Sequence, residues 1–273
     1  MKEKRMRKRR IIISRPPLNN MKNVLARWIE NLREKSASRG YTCDACGVEL
    51  FDYPTHRLCD GCQALHVKND KSICPKCGRK LISNGVCLTC KSIPPAFTQA
   101  LSPFVYEGAL AGLINRLKSG NRRLAYYFAE QMAKHFLESP LAEDLRGKSL
   151  LVLAVPLTKQ RQNKRGYNQA QALAKIITKK LNEAGMYATN DDEVLTKTRE
   201  TGIQKHLSSK ERAQNAKGAY HVHKRKLCAG KTILLIDDIL TTGATGSECA
   251  RILQSAGASA VYLLTIASMA ERK

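Results

Sequence analysis

A chain of 273 residues has room for one full α/β domain and one or two small modules. Its 43% of hydrophobic residues is ordinary for a protein with a water-excluding core, and no run approaches the ~18 apolar residues of a membrane-spanning helix. The 47 basic residues against 23 acidic ones give a formal charge of +24, which suits polyanions such as nucleic acid, acidic lipid or phosphorylated small molecules, although a solvated basic surface produces the same balance.

Residues 1–40 read as a basic leader. Lys2, Lys4, Arg5, Arg7, Lys8, Arg9 and Arg10 oppose only Glu3, and such like-charge blocks are usually disordered. The apolar stretch Ile11–Ile13, followed by Ser14-Arg15-Pro16-Pro17, falls far short of the roughly 7–15 residues of a secretory core, so the cytoplasm is the expected compartment. Val24, Leu25, Trp28, Ile29 and Leu32 recur at helical spacing and predict one amphipathic helix over Asn20–Lys35. The leader is either a floppy extension or a nucleic-acid-binding arm, with Trp28 expected to pack on the next module.

Eight of the ten cysteines lie between Tyr41 and Lys91 in four Cys-x-x-Cys pairs, Cys43/Cys46, Cys59/Cys62, Cys74/Cys77 and Cys87/Cys90. The arrangement repeats: Cys43-Asp44-Ala45-Cys46-Gly47-Val48-Glu49-Leu50 parallels Cys74-Pro75-Lys76-Cys77-Gly78-Arg79-Lys80-Leu81. Two successive knuckles present four thiolates tetrahedrally, which suits Zn²⁺, so residues 41–93 are expected to form a double zinc ribbon with one or two structural Zn²⁺ sites. Disulfides are the rival reading, and a redox-active dithiol would need one pair rather than four in a row. Modules this small are expected to fold only with metal. His56 and His66 are expected at the surface, and Cys249 is expected to be buried filler.

Ile93-Pro94-Pro95 is a stiff linker, and residues 94–273 read as an α/β domain. Phe104 to Tyr106 is strand-like, and Leu110, Leu113, Ile114 and Leu117 form a helical face that ends at Lys118-Ser119-Gly120. A second helix is predicted from Arg122 to Leu137, then a buried strand from Leu150 to Val155. Lys159, Arg161, Lys164 and Arg165 follow, ahead of a helix through Ala172, Ile176 and Ile177. Cations between a strand end and a helix start make Lys159, Arg161 and Arg165 a candidate pyrophosphate site, with a basic surface loop as the alternative. The polar, charged stretch from Leu195 suits a mobile lid. Ala219 to Val222 alternates like an edge strand, and Ala260 to Ile266 supplies a last buried one. Strands alternating with helices predict a parallel sheet flanked by helices.

Ile233 to Ile236 reads as a buried parallel strand, with Asp237 and Asp238 where such a strand ends and ligands bind. Thr241, Thr242 and Thr245 then supply hydroxyls, Gly243 lets the backbone approach closely, and a helix starts near Ala244. Free N–H groups at that helix start make a phosphate cradle, and paired carboxylates suit vicinal ribose hydroxyls. A ribose 5-phosphate site fits this pattern. It is not a Walker loop, since no Gly-Lys-Ser/Thr follows the glycine.

The same stretch resembles the phosphoribosyl pyrophosphate (PRPP) motif of type I phosphoribosyltransferases. Val155-Pro156-Leu157, Arg161 and Arg165-Gly166-Tyr167-Asn168-Gln169-Ala170 resemble a second signature. Thr198-Arg199-Glu200-Thr201, Gln204, Leu207-Ser208, Arg212 and Asn215 resemble a third. With the paired Cys-x-x-Cys module ahead, residues 41–268 resemble the ComF family of competence-associated, double-zinc-ribbon proteins. The leader lies outside the pattern. The resemblance implies an α/β, type I phosphoribosyltransferase-like parallel sheet flanked by helices behind a small cysteine-rich double zinc ribbon, and PRPP with Mg²⁺ as the ligand. In that frame Asp237 and Asp238 hold the ribose hydroxyls, and Thr241, Thr242, Gly243, Ala244 and Thr245 hold the 5-phosphate. Lys159, Arg161 and Arg165 neutralise pyrophosphate, and Arg199, Gln204 and Lys205 close over the site. The resemblance also implies a role in natural transformation, helping single-stranded DNA across the inner membrane. The partners would be a competence helicase or the inner-membrane DNA-uptake machinery, and the location peripheral to that membrane. Two alternatives stay open: an active phosphoribosyltransferase of nucleotide or nucleoside metabolism with an unread acceptor, or a non-catalytic PRPP sensor that binds nucleic acid, with Tyr41, Phe51 or Tyr53 as stacking platforms.

Overall fold

The computed structural model describes residues 41–50, 57–200 and 209–271. The leader with its expected helix, Phe51, Tyr53, His56, and the lid tip carrying Gln204 and Lys205 lie outside the described residues. In chain order, β1 (Tyr41–Thr42), β2 (Glu49–Leu50) and α1 (Asp60–Ala64) belong to the first cysteine module and α2 (Leu88–Ser92) to the second. There follow β3 (Gln99–Leu101), β4 (Phe104–Val105), α3 (Gly108–Lys118), α4 (Leu124–Leu137), α5 (Pro140–Asp144), β5 (Ser149–Ala154), α6 (Lys159–Arg165), α7 (Gln169–Glu183) and β6 (Tyr187–Asn190). The chain then forms β7 (Leu195–Lys197), α8 (Ser209–Ala216), β8 (Tyr220–Val222), α9 (Arg225–Cys228), β9 (Thr232–Leu240), α10 (Ala244–Ser255) and β10 (Ala260–Ser268).

The three most apolar runs, β5, β9 and β10, sit side by side in a parallel sheet ordered β3-β10-β9-β5-β6, with β4 alongside β10 beyond β3. Because successive side chains of a strand point to opposite faces, each central strand feeds two cores. Leu150, Val152, Leu234, Ile236, Leu264 and Ile266 pack with α3, α4 and α7 on one face, while Leu151, Leu153, Ile233, Leu235, Val261 and Leu263 pack under α10 on the other. Phe128, Phe136, Met132 and Ile177 are fully buried on the first face, where apolar side chains of this size contribute about 2–3 kcal/mol each.

The two cysteine modules join opposite cores. Cys43 and Leu58 add to the α4 face, and Cys74, Cys77, Leu81, Cys87 and Cys90 add to the α10 face. Residues 42–273 accordingly form one compact unit.

Several elements differ from expectation for identifiable reasons. β9 does not stop at Ile236 but runs through both aspartates to Leu240, because β10 stays paired with it up to Ser268↔Leu240. The cations after β5 lie on a short helix, α6, whose N-cap Thr158 accepts the Arg161 N–H. β8 is not an edge of the main sheet; it pairs antiparallel with β7 in a separate two-stranded hood. His66, expected at the surface, is buried between Phe104 and Tyr127, with Nδ1 2.8 Å from the Tyr127 hydroxyl. A partner 61 positions away is invisible to local pattern. Cys249 is fully buried, as expected.

Candidate functional site

Where β9 ends and α10 begins, a cleft of about 220 Å³ opens between the sheet, α6 and the hood. Asp237, Asp238, Thr241, Thr242, Gly243, Ala244, Thr245, Arg161 and Arg165 all line it. Lys159 does not: it is exposed at the first position of α6. Arg199 is also outside, with its guanidinium donating to the carbonyls of Asn215 (3.0 Å) and Lys217 (2.8 Å) at the end of α8.

Strand alternation separates the two aspartates. Asp238 shares the Leu234/Ile236 face, is buried, and meets Lys118 Nζ at 3.1 Å while accepting from Gln169 Nε2 at 2.6 Å. Asp237 turns to the other face, half-buried, with its Oδ1 accepting the Asp238 N–H at 2.8 Å. Burial first, and then the neighbouring Asp238 charge, pushes the Asp237 carboxyl up to about 7. One acid is thus held by one cation and one amide, while burial and a like charge raise the other.

The loop after β9 turns on Gly243, whose φ of 80° is left-handed and easy for glycine. Gly243 is also the N-cap of α10 and gives no side-chain cap bond; the first turn of a helix leaves N–H groups without intrahelical partners, and Ala244, Thr245 and Gly246 of that turn line the cleft. Thr242 Oγ1 lies 3.4 Å from the Ala244 N. On the outside of the loop, the Arg79 guanidinium of the second cysteine module donates to the Thr241 carbonyl.

Positive groups crowd the opposite wall. Lys118 comes from the end of α3, Arg161 and Arg165 from α6, and Lys197 from β7. Burial, and then the like charge of Arg161, hold the Lys197 ammonium below the usual lysine range. In this state Arg161 Nε meets Glu200 Oε2 at 2.9 Å, and Glu200 also accepts from the Thr158 hydroxyl. An internal carboxylate is therefore paired with the α6 arginine that lines the cleft. Lys118, Lys197 and Gln169 were not singled out as site residues by sequence. Lys118 looks like an ordinary helix-end lysine, Lys197 like part of a polar lid, and only Gln169, inside the Arg165-to-Ala170 signature, carried a signal.

The cysteines gather into the two groups expected from the repeat, Cys43/Cys46/Cys59/Cys62 and Cys74/Cys77/Cys87/Cys90, with the sulfurs of each group within 4.8 Å of one another. All ten cysteines are free thiols. Cys46–Cys59 and Cys77–Cys87 sulfur separations of 3.8 and 3.6 Å are far beyond the ~2.05 Å of a disulfide. They match the ~3.8 Å edge of a tetrahedron with Zn–S bonds of about 2.3 Å. Backbone N–H groups of Cys59, Cys62, Cys87 and Cys90 point at the sulfurs, as thiolate ligands require. A hydrogen bond from Cys90, and then the Arg79 backbone and charge, draw the Cys77 thiol down to about 5. Both groups could hold zinc.

The phosphoribosyl transferase domain family model matches residues 122–273. Among curated proteins, the chain is 29% identical over 208 residues to DNA utilization protein YhgH of Escherichia coli, covering 76% of this chain and 88% of that protein. It is 31% identical over 224 residues to Competence protein F of Haemophilus influenzae, covering 77% and 90%. It is 26% identical over 214 residues to Competence protein ComFC of Bacillus subtilis, covering 76% and 82%.

Proposed function

Because the chain belongs to the ComF family of phosphoribosyl transferase domain proteins, we propose that its cleft binds PRPP with Mg²⁺. The observation that carries this reading is the convergence of two acids, a hydroxyl-and-amide loop and four cations on one cleft. Asp237 and Asp238 receive the ribose hydroxyls, Thr241–Thr245 and the α10 N–H groups take the 5-phosphate, and Arg161 and Arg165 take the pyrophosphate in place of Glu200. Bound Mg²⁺ would be held mainly by ligand oxygens and water and would neutralise phosphate charge. In a transfer reaction the C1–oxygen bond to pyrophosphate breaks as an acceptor nucleophile bonds to C1, and the α6 arginines stabilise the charge on the departing group. The two cysteine groups would each hold a structural Zn²⁺.

Calorimetric titration of Mg²⁺–PRPP into zinc-replete protein tests this. One saturable site is expected, weakened at least ~10-fold in Arg161→Gln, which removes a charge-assisted contact. No binding by the wild type would overturn the reading. Release of pyrophosphate only when an acceptor is supplied would separate a transferase from a PRPP sensor.

A second role favoured by the +24 charge is binding of single-stranded DNA, in line with relatives named for DNA utilization and competence. It would place the protein in the cytoplasm near DNA entering across the inner membrane. Anisotropy titration of a labelled single-stranded oligonucleotide should show affinity falling roughly 100-fold between 50 and 200 mM salt if about five phosphates are neutralised. Weak or salt-insensitive binding would remove DNA as a partner.

A further inference from the structure

We propose that Arg79, set beside the second four-cysteine group and donating to the Thr241 carbonyl, is the positioning residue that couples this group to the phosphate loop. The inference rests on the ribose-phosphate reading of the cleft. A loop that turns its N–H groups inward to an anion turns carbonyls outward, and an outward carbonyl away from water needs a donor. Arg79 is only 8% exposed, and its guanidinium supplies that donor as a charge-assisted bond.

The cysteine module fixes Arg79 from the other side. Its carbonyl accepts the Cys74 N–H at 2.9 Å, which closes the knuckle that also holds Cys77. The knuckle lies directly on the main sheet: Lys76 O accepts the Ala100 N–H at 2.8 Å, and a Cβ at Gly78 would lie 2.4 Å from Ala100 O. Asn69 Nδ2, itself buried, donates to Gly78 O and to Ser102 O (3.1 Å). Arg79 is therefore anchored at its backbone by the knuckle and at its tip by the loop.

The internal repeat supplies the control. In the first module Val48 holds the position of Arg79, and its carbonyl accepts the Cys43 N–H at 2.7 Å in the same turn. Val48 is 51% exposed. The knuckle thus closes without an arginine, so the side chain at 79 serves the loop rather than the cysteine cage. With the second cysteine group intact, the loop is held ready; without it, Thr241 loses its outer support.

The test uses zinc-replete full-length protein, Arg79→Met and Arg79→Lys, with ribose 5-phosphate and Mg²⁺–pyrophosphate as separate probes and zinc per chain as a control. Expected for Arg79→Met are unchanged zinc, unchanged Mg²⁺–pyrophosphate affinity and at least a ~10-fold loss for ribose 5-phosphate, with partial recovery in Arg79→Lys. If Arg79→Met does not fold, Arg79→Lys carries the same comparison of the two probes. Equal loss for both probes, loss of zinc, or undiminished ribose 5-phosphate binding would each overturn the proposal. Failure of the wild type to bind either probe would instead remove the ribose-phosphate reading, and this inference with it.

Discussion

Asp237→Asn is expected to lower PRPP affinity by at least ~100-fold, the scale of losing two hydrogen bonds to a charged acceptor, while making the folded protein more stable. The two effects share one cause. Asp237 sits on the α10 face of β9, and burial followed by the Asp238 charge lifts its carboxyl from 3.8 to about 7. Between those values the folded protein keeps a proton that the unfolded chain has released. Stability from this group is therefore complete below about pH 4 and lost as pH rises through about 7. Asparagine cannot ionise, so the variant should gain about 2 kcal/mol at pH 8, after discounting the full shift for partial solvent access. The gain should vanish towards pH 4. Thermal denaturation across pH 4 to 8 beside calorimetry with PRPP measures both. For the wild type, affinity should rise from pH 6 to 8 as the carboxylate forms. Asp238→Asn should behave in the opposite way in stability, since it strips Lys118 of its 3.1 Å partner. Lower stability of Asp237→Asn at pH 8, or undiminished PRPP binding, would show that the strain at Asp237 is not tied to the ligand.

Loss of the second cysteine group should be the most damaging change to the fold. Its four cysteines are all buried and share a core with Phe97, Leu235 and Leu253, whereas in the first group Cys46 is exposed and Cys59 and Cys62 are half-buried. Structural zinc contributes about 10–16 kcal/mol to isolated small modules. Cys77→Ser should therefore lose one zinc equivalent and drop the melting temperature by more than ~10 °C, or fail to accumulate in soluble form. Cys46→Ser should lose the other equivalent at clearly smaller cost. Zinc per chain by atomic absorption, read beside melting curves, checks both; equal destabilisation by the two variants would contradict the distinct core roles of the groups.

What the sequence made legible follows from local physics. β5, β9 and β10 are covered on both faces and so read as continuous apolar runs. The grouping of the cysteines was legible because their spacing repeats, and the turn from Thr241 into α10 because a glycine and a helix start follow a buried strand there. What stayed hidden depends on distant partners. The polar end of β9 is strand only because β10 continues beside it, and Lys118 reaches Asp238 from a helix 120 positions earlier. β3, β6 and α5 are too short for periodicity to register. Arg79 looked like one more basic residue within a repeat. Its contact with the Thr241 carbonyl spans 162 positions and has no local signal.

The alternation of β9 also limits how this protein can evolve. Ile233 and Leu235 share a face with Asp237, and Leu234 and Ile236 share one with Asp238. Adding or removing one residue between Thr232 and Ile236 would send each carboxylate to the other side of the sheet and exchange the strand's apolar side chains between the α4 and α10 cores, where their shapes no longer match their neighbours. Insertions and deletions in this strand are therefore costly, and changes of length are better tolerated in the connections outside the sheet.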